Sequence, residues 1–282
     1  MAKNNVAGLL TSVDDLFSTQ ESRDEAKLER VINLPPGEIR DFPNHPFKVR
    51  MDEEMQQMAE SVKEHGVLVP ALVREKPGGG YEMVAGHRRK RAAELAELPE
   101  IPCIVRNLTD DEAIIVMVDS NLQREKILPS EKAFAYKMKL DAIKRQGQRT
   151  DLTSSPLDNK LKGKTSAQQV SQKSGDSQPQ IYRFIRLTEL IPPVLQMVDD
   201  GKIAFRPAVE LSYLSKEQQE SLYSTMECED CTPSLAQAIK MKEFSRDGKL
   251  TDEVILSIMQ EEKPNQKEQF KMPKERISKY FA

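Results

Sequence analysis

The stretch that decides the fold is Val84-Ala-Gly-His-Arg-Arg-Lys-Arg-Ala-Ala93. A strand ends here at a glycine, and a helix begins at once with arginines in its first turn. The first N–H groups of a helix have no intrahelical acceptor and carry partial positive charge, and guanidinium groups add two-pronged phosphate contacts. The stretch therefore predicts an anion site made by Gly86, His87, Arg88 and Arg89, although a solvated basic helix face fits the same pattern.

Alternating helices and strands surround this stretch from about residue 38 to residue 120. The predicted elements are a helix capped by Asp52 and ending at Gly66, strands at 67–74 and 81–85, a helix at 87–98, a strand at 102–106, and a helix with Thr109 and Glu112 as a capping box. This order predicts an α+β domain with a small sheet.

Strand signals vanish beyond Asn121, and helical patterns replace them. A long helix is predicted at 129–147, a polar loop at 148–164, short helices between 165 and 226, and two more at 234–244 and 251–262. We therefore divide the chain into a flexible tail at 1–35, an α+β domain at 36–121, a helical domain at 122–226 and a helical, oligomerising region at 227–282. A weak apolar cluster in the tail fits either a partner-binding helix or a mobile segment.

The basic residues of the chain are concentrated in its middle. The whole sequence carries 42 Lys and Arg against 45 Asp and Glu, whereas residues 121–190 carry 14 against 7. Because this segment is basic within an acidic chain, it predicts a single module that binds a polyanion.

A helix-turn-helix is predicted inside this basic module. Thr165 or Ser166 caps a first helix, Gly175 makes the turn, and Ser177 opens a second helix that runs through Leu187. Gln and Arg read base edges in the major groove, and Ser and Lys hold phosphates. A generic helical hairpin is the alternative. The candidate DNA contacts, with Arg183 and Arg186 facing outward, are Ser166, Gln168, Ser177, Gln178, Gln180, Tyr182, Arg183 and Arg186.

Composition excludes several other classes of protein. The 282 residues suffice for about two domains, and the longest apolar run is too short to span a membrane. No apolar leader opens the chain, and three cysteines cannot build a disulfide framework, so we expect a cytoplasmic protein. Cys228 and Cys231 have the spacing of half a zinc site, but the sequence has no second pair of ligands, so a helix end that carries two thiols is the preferred interpretation.

Three segments together resemble the ParB/RepB-type partition family, over roughly residues 35–214. They are Glu64-His-Gly-Val-Leu68, Val84–Ala93 and Asn121-Leu-Gln-Arg124, followed by the helix-turn-helix. The resemblance implies an α+β N-terminal domain of the ParB/sulfiredoxin-like fold, an all-α helix-turn-helix DNA-binding domain and a short helical C-terminal region. Sulfiredoxin activity is not expected, because Ala85 and Gly86 stand where that reductase needs a cysteine.

The resemblance implies a CTP-dependent DNA clamp that acts in the segregation of a chromosome, plasmid or mobile element. Such a protein is a nucleoid-associated homodimer that binds a palindromic, centromere-like site in double-stranded DNA, and a ParA-type ATPase binds its N-terminal tail. By position, Gly66, Val67 and Leu68 would border the nucleobase. Gly86, His87, Arg88 and Arg89 would hold the triphosphate. Asn121 and Arg124 would complete the phosphate site, with Asn121 near Mg²⁺.

Two departures from the family pattern affect catalysis more than binding. His87 stands where the family has a glutamate, and Ser120 replaces the usual acidic residue before Asn121. Losing that carboxylate removes a magnesium contact, so whether the chain is a slow CTPase stays open. A site-specific transcriptional regulator that keeps the fold without nucleotide switching is the alternative function.

Overall fold

A computed structural model describes residues 31–76, 78–124, 126–153 and 165–261, without the side chains of 148–153 and 173. These residues form two compact units that divide between Asn121 and Leu122. The first unit mixes strands and helices, and the described part of the second contains helices, which confirms the predicted fold class. Most of the predicted tail, most of the predicted polar loop and the end of the predicted C-terminal region lie outside the described residues.

A five-stranded mixed sheet is the centre of the first unit. Its strands are β1 (Val31–Leu34), β2 (Ile39–Arg40), β3 (Ala71–Glu75), β4 (Tyr81–Ala85) and β5 (Ile101–Val105). The strand order is β1-β5-β3-β4-β2, so the two strands that are first in sequence lie at opposite edges. The pairs β1/β5 and β3/β4 are antiparallel, and the pairs β3/β5 and β2/β4 are parallel.

Two predictions for this sheet are wrong. Residues up to 35 were assigned to a flexible tail, but Val31–Leu34 pairs with Ile101–Ile104 and buries Leu34. The strand predicted at 67–74 begins only at Ala71. Pro70 has no N–H to donate to a neighbouring strand, and the β-branched run before it is a loop instead.

Three helices complete the first unit, together with a short 3-10 turn at Pro36–Glu38. They are α1 (Glu53–His65), α2 (His87–Leu95) and α3 (Asp110–Asn121). The predicted caps are confirmed: Asp52 accepts a hydrogen bond from the N–H of Met55 at 3.0 Å, and the N–H of Thr109 donates to Glu112 at 2.9 Å. Helices α1 and α2 pack on each other, and buried residues such as Met55 and Ala92 join them to the sheet core.

Helix α2 ends three residues earlier than predicted. The N–H of Leu98 donates to the carbonyl of Ala93, and the N–H of Glu97 donates to that of Glu94. These two bonds form a Schellman motif, in which Glu97 takes the left-handed conformation with φ of 54°. Glycine is the usual sequence signal for this position, so a glutamate there gives no indication that the helix ends.

The second unit contains eight described helices around one main apolar core. They are α4 (Pro129–Thr153), α5 (Ser166–Ser174), α6 (Gln178–Arg186), α7 (Pro192–Asp199), α8 (Phe205–Leu211), α9 (Lys216–Cys228), α10 (Leu235–Arg246) and α11 (Asp252–Met259). Helix α4 runs six residues beyond the predicted Gly147. Met241 and Ile255 share a core with Leu187 and Leu222, so residues 227–261 belong to the helical domain and are not a separate region.

Candidate functional site

The start of helix α2 has the geometry that the sequence predicts for an anion site. Gly86 caps the helix with φ of 113°, outside the range that other residues readily adopt. A Cβ atom at this position would lie 3.0 Å from the Cβ of Ala71, a tight contact that adds to the preference of this backbone conformation for glycine. The first turn of α2 contains no acidic residue, and therefore its N–H groups keep their partial positive charge.

Arg89 contributes to a cavity of about 320 Å³ beside this helix start. Its Nη1 donates to the carbonyl of Val69 at 2.9 Å and to that of Pro70 at 2.6 Å. Burial lowers the pKa of the Arg89 guanidinium, which nevertheless stays protonated near neutral pH. The cavity is lined by Met58, Ser61, Val62, Gly66, Val67, Leu68, Val69 and Arg89. The structure thus brings the predicted nucleobase residues and one predicted phosphate residue to the same place.

The loop from Gly66 to Pro70 forms one wall of this cavity. Leu68 is 79% exposed and Val69 is 62% exposed, which is unusual for large apolar side chains. Because the carbonyls at the end of this loop bond Arg89, the guanidinium and the apolar wall are held together. The cavity offers an apolar surface for a flat ring beside a cation.

Arg88 points away from this cavity toward the start of helix α1. Its Nη2 lies 3.3 Å from a carboxylate oxygen of Glu54 and 3.8 Å from one of Asp52. Those two carboxylates also lie near the N-terminus of α1, which carries partial positive charge. They therefore interact with both the Arg88 guanidinium and the first turn of α1.

His87 lies in a second cavity of about 320 Å³, on another face of α2. Its ring stacks on that of His45 with centroids 3.8 Å apart, and it is buried. Nearby, the buried Lys90 donates to the carbonyl of Ile39 at 2.6 Å and to Asp41 at 2.8 Å. Burial alone would raise the pKa of Asp41. The hydrogen bond from Lys90 and the positive charge of Lys90 outweigh burial and lower the pKa of Asp41 below its usual value. The four predicted triphosphate residues therefore occupy different surroundings.

The third predicted segment is at the end of helix α3. Asn121 is buried, and its Nδ2 donates to the carbonyl of Met117 at 2.8 Å, which leaves its Oδ1 as the atom that suits a cation. Ser120 donates to the same carbonyl at 2.9 Å. Within the described residues, the lining of the Arg89 cavity includes neither Asn121 nor Arg124. Arg124 is exposed and belongs to the second unit.

The predicted helix-turn-helix is present as helices α5 and α6. Thr165 and Gln168 form a reciprocal capping box at the start of α5, which settles the choice of cap in favour of Thr165. Gly175 ends α5 with φ of 75°, and Ser177 precedes the first residue of α6. Gln168, a predicted DNA contact, has its side-chain oxygen engaged by the N–H of Thr165 at 2.9 Å.

Helix α6 buries one face and exposes another. Ile181 is fully buried with Tyr136 and Val170, whereas Tyr182 is 52% exposed and Arg183 is exposed. Arg183 donates to Gln180 at 3.5 Å, one helical turn earlier. Of the other predicted contacts, Ser177 is exposed, and the half-buried ones are Ser166, Gln168, Gln178 and Gln180.

The predicted outward position of Arg186 is wrong. Its guanidinium is half-buried, donates to the hydroxyl and the carbonyl of Ser212, and lies 4.1 Å from the ring centre of Tyr213. These partners follow Arg186 by 26 and 27 residues, so helix periodicity could not place its side chain.

An interaction that sequence reasoning missed fixes the turn between α5 and α6. Tyr136 of helix α4 donates its hydroxyl to Asp176, and Lys132 forms an ion pair with the same carboxylate at 2.6 Å. The hydroxyl of Ser171 donates to the carbonyl of Asp176 at 2.7 Å. Burial and this partnership raise the pKa of Tyr136. The available signal was an aspartate directly after the turn glycine.

Comparison with known families identifies both units. The ParB N-terminal domain family matches residues 20–122, and the ParB HTH domain family matches residues 159–243. Fold and sequence together define a protein in which an α+β domain is followed along the chain by a helix-turn-helix DNA-binding domain. The chain belongs to the ParB family of chromosome-partitioning proteins.

The chain is similar to several known proteins. The chromosome-partitioning protein Spo0J of Thermus thermophilus is 33% identical over 76% of this chain and 70% of its own length. The nucleoid occlusion protein of Listeria innocua is 34% identical over 72% of this chain and 65% of its own. C-terminally truncated ParB from Caulobacter crescentus, solved in complex with its centromeric parS site, is 21% identical over 81% of this chain and 98% of its own, with a TM-score of 0.43.

Membrane-spanning helices and metal-binding clusters are both absent from the described residues. No helix there is long and apolar enough to cross a membrane. No group of three or more His, Cys, Asp or Glu side chains there could hold a metal ion. Cys228 is exposed and Cys231 is half-buried, both near the end of helix α9.

Proposed function

We propose that this chain is a partition protein that binds a palindromic, centromere-like DNA site as a homodimer and uses CTP to become a sliding clamp. It would act at the nucleoid in the cytoplasm, with a ParA-type ATPase as partner of its N-terminal tail. Membership of the ParB family supports this function. The observation that carries the nucleotide part is the shared cavity of Arg89 and Gly66–Leu68 beside the Gly86 helix start.

The helix-turn-helix supports the DNA-binding part of the proposal. Helix α6 presents Tyr182 and Arg183 on its exposed face, and Ser177 is exposed at its start. In this motif the second helix enters the major groove, where an arginine can bond a guanine through two hydrogen bonds. Arg183 is therefore assigned to base reading, and Ser177 to a phosphate.

The cavity beside α2 supports the nucleotide part. Its volume of about 320 Å³ lies within the range of small-molecule pockets. The apolar loop would cover a pyrimidine, Arg89 would bond a phosphate, and the N–H groups after Gly86 would bond another. The Oδ1 of Asn121 is the atom that would face Mg²⁺, which would neutralise phosphate charge when bound.

A regulator without nucleotide switching is the second candidate, and two observations favour it. His87 stacks on His45 in the second cavity, away from Arg89, and Ser120 bonds its own helix. Neither residue then supplies the carboxylate that the family places near the phosphates. Loss of nucleotide switching would leave a protein that binds its site and does not move from it.

Calorimetry with CTP, ATP, GTP and UTP, in the presence and absence of site DNA, tests the nucleotide part. Of the four nucleotides, we expect only CTP to bind. The Arg89→Ala variant should lose CTP binding and should still bind site DNA. Arg91→Ala is the matched control, because Arg91 is on the same helix but bonds Glu94. Spreading along DNA with blocked ends then separates the two functions: a regulator would bind the site without CTP-stimulated spreading.

Substitution of Arg183 tests the DNA-binding part. If Arg183 reads a base, Arg183→Ala should weaken binding to site DNA by about 1–3 kcal/mol and change binding to random DNA far less. Competition binding with both DNAs measures the difference. An equal loss on the two DNAs would assign Arg183 to a phosphate instead.

A further inference from the structure

We propose that Arg186, Tyr213 and Lys242 form a contact site for DNA phosphates beside helix α6, which we name the Tyr213 site. This inference rests on the proposed DNA-binding function and extends it beyond the helix-turn-helix. It assigns Lys242 of helix α10 and Tyr213, which follows helix α8, to the DNA-binding surface.

Two cations contact a single aromatic ring at this site. The guanidinium carbon of Arg186 lies 4.1 Å from the ring centre of Tyr213, and the Nζ of Lys242 lies 3.8 Å from it. Each cation is attracted to the ring, but two like charges on one ring also repel each other. Bonds from Arg186 to Ser212 hold its guanidinium in place against this repulsion.

The site carries more positive than negative charge. Lys242 forms an ion pair with Glu210 at 2.8 Å. Among the described contacts of Arg186, Tyr213 and Lys242, Glu210 supplies the single carboxylate for the two cations. An anion that approached the site would therefore relieve the repulsion between them.

Tyr213 leaves room for such an anion. Its side chain is 48% exposed although two other side chains contact it, and Lys242 is itself partly exposed. Tyrosine hydroxyls, lysines and arginines are among the groups that hold phosphate oxygens in DNA complexes. The chemistry of the site is therefore that of a phosphate contact.

The position of the site favours DNA over another polyanion. Arg186 is the last residue of helix α6, so the Tyr213 site begins where the recognition helix ends. Half to two-thirds of the hydrogen bonds in protein–DNA complexes go to the phosphate–sugar backbone, and they fix the position of the reading helix. A phosphate that flanks the groove would meet Lys242 and Tyr213 without any base contact.

Substitution of Lys242 in the full chain tests this inference. Each phosphate contact contributes about 0.9 to the slope of log K against log salt concentration. We expect Lys242→Met to reduce that slope by about 0.9 and to weaken binding to site DNA and random DNA by the same factor. Lys240→Met is the matched control, because Lys240 is on the same helix and pairs with Glu261. It should leave the slope unchanged.

Four further variants keep the test independent of any folding defect. Glu210→Gln removes the carboxylate and should tighten binding to both DNAs, which a damaged fold would not do. Lys242→Arg keeps the charge and should keep the slope. Tyr213→Leu removes the ring that positions both cations and should weaken binding to both DNAs more than Tyr213→Phe does.

The outcomes separate this inference from the proposed function. If the unaltered chain binds its site while Lys242→Met and Lys240→Met behave alike, the Tyr213 site is not a DNA contact and the proposed function stands. A loss confined to site DNA would assign Lys242 to base reading and would also overturn the inference. If the unaltered chain binds no DNA at all, the proposed function and this inference fail together.

Discussion

Gly86 is the residue on which the geometry of the anion site depends most directly. It connects strand β4 to helix α2, and its backbone conformation aims the first turn of that helix. The closest atoms that a side chain would meet are in Ala71, on the neighbouring strand β3. The close approach of strand β3 to the end of strand β4 therefore limits which residue can occupy position 86, at the edge of the anion site.

Gly86→Ala should lower the free energy of unfolding of the first unit by about 2–3 kcal/mol, because it adds backbone strain and a close contact with Ala71. Chemical denaturation measures the change. Gly37→Ala is the control, since Gly37 has open space around it and no positive φ. An equal small effect at the two positions would contradict the role of space at Gly86.

Cys103 gives a second prediction for a single residue. It is fully buried in strand β5, and burial raises the pKa of its thiol to about 11. The reactive thiolate is therefore nearly absent at pH 8. Alkylation at that pH should modify the exposed Cys228 quickly and Cys103 only after unfolding, as mass spectrometry of the digested protein would show. Equal labelling of both cysteines in the native protein would contradict this expectation.

Among the elements, helix α4 contacts the turn of the helix-turn-helix through two polar side chains. The hydroxyl of Tyr136 and the ammonium of Lys132 both reach Asp176, which lies between α5 and α6. Because Ser171 of α5 also bonds the backbone of Asp176, three elements share this turn. The angle between the two DNA-binding helices is thereby tied to a helix outside the motif.

Tyr136→Phe should therefore destabilise the second unit by about 1–2 kcal/mol, since it leaves Asp176 with one bond fewer in a partly buried position. Urea unfolding monitored by circular dichroism measures this effect. Tyr182→Phe removes a hydroxyl from an exposed ring of helix α6 and should change stability by less than about 0.5 kcal/mol. Similar losses in the two variants would mean that the Asp176 contact contributes little.

The sequence predicts those elements whose ends are determined by neighbouring residues. Asp52, Thr109 and Thr165 cap helices within three residues of themselves, and each is confirmed. The sequence does not predict the end of α2 at Leu95, because the residue that turns the chain after it is a glutamate, Glu97, in the left-handed conformation, where glycine is the usual signal. The run before Pro70 has strand-like composition, but the carbonyls of Val69 and of Pro70 itself bond Arg89.

Side chains with distant partners were the part of the site that could not be predicted. The grouping of Gly66–Leu68 with Arg89 followed from the family resemblance, and the cavity brings these residues together. The direction of His87 depends on His45, and that of Arg186 depends on Ser212 and Tyr213. No local pattern specifies such pairs, because packing between elements decides them.

For the whole molecule, the two units have cores built from separate stretches of chain. Met83 is fully buried in the first core, and Leu222 is fully buried in the second. We expect Met83→Ala and Leu222→Ala each to cost about 2–5 kcal/mol and each to lower one of two transitions in scanning calorimetry. The double variant should show the sum of the two losses within about 0.5 kcal/mol. A single transition that both substitutions shift would contradict independent units.

The pairing of β1 with β5 has a consequence for synthesis on the ribosome. Val31–Leu34 emerges before its partner Ile101–Ile104, which follows about 70 residues later. At about 5–20 residues per second, the nascent chain waits roughly 4–14 s before this edge of the sheet can close. During that interval the backbone groups of the first strand have water and no partner strand as hydrogen-bond partner, and a chaperone that holds extended peptides would find its binding segment there.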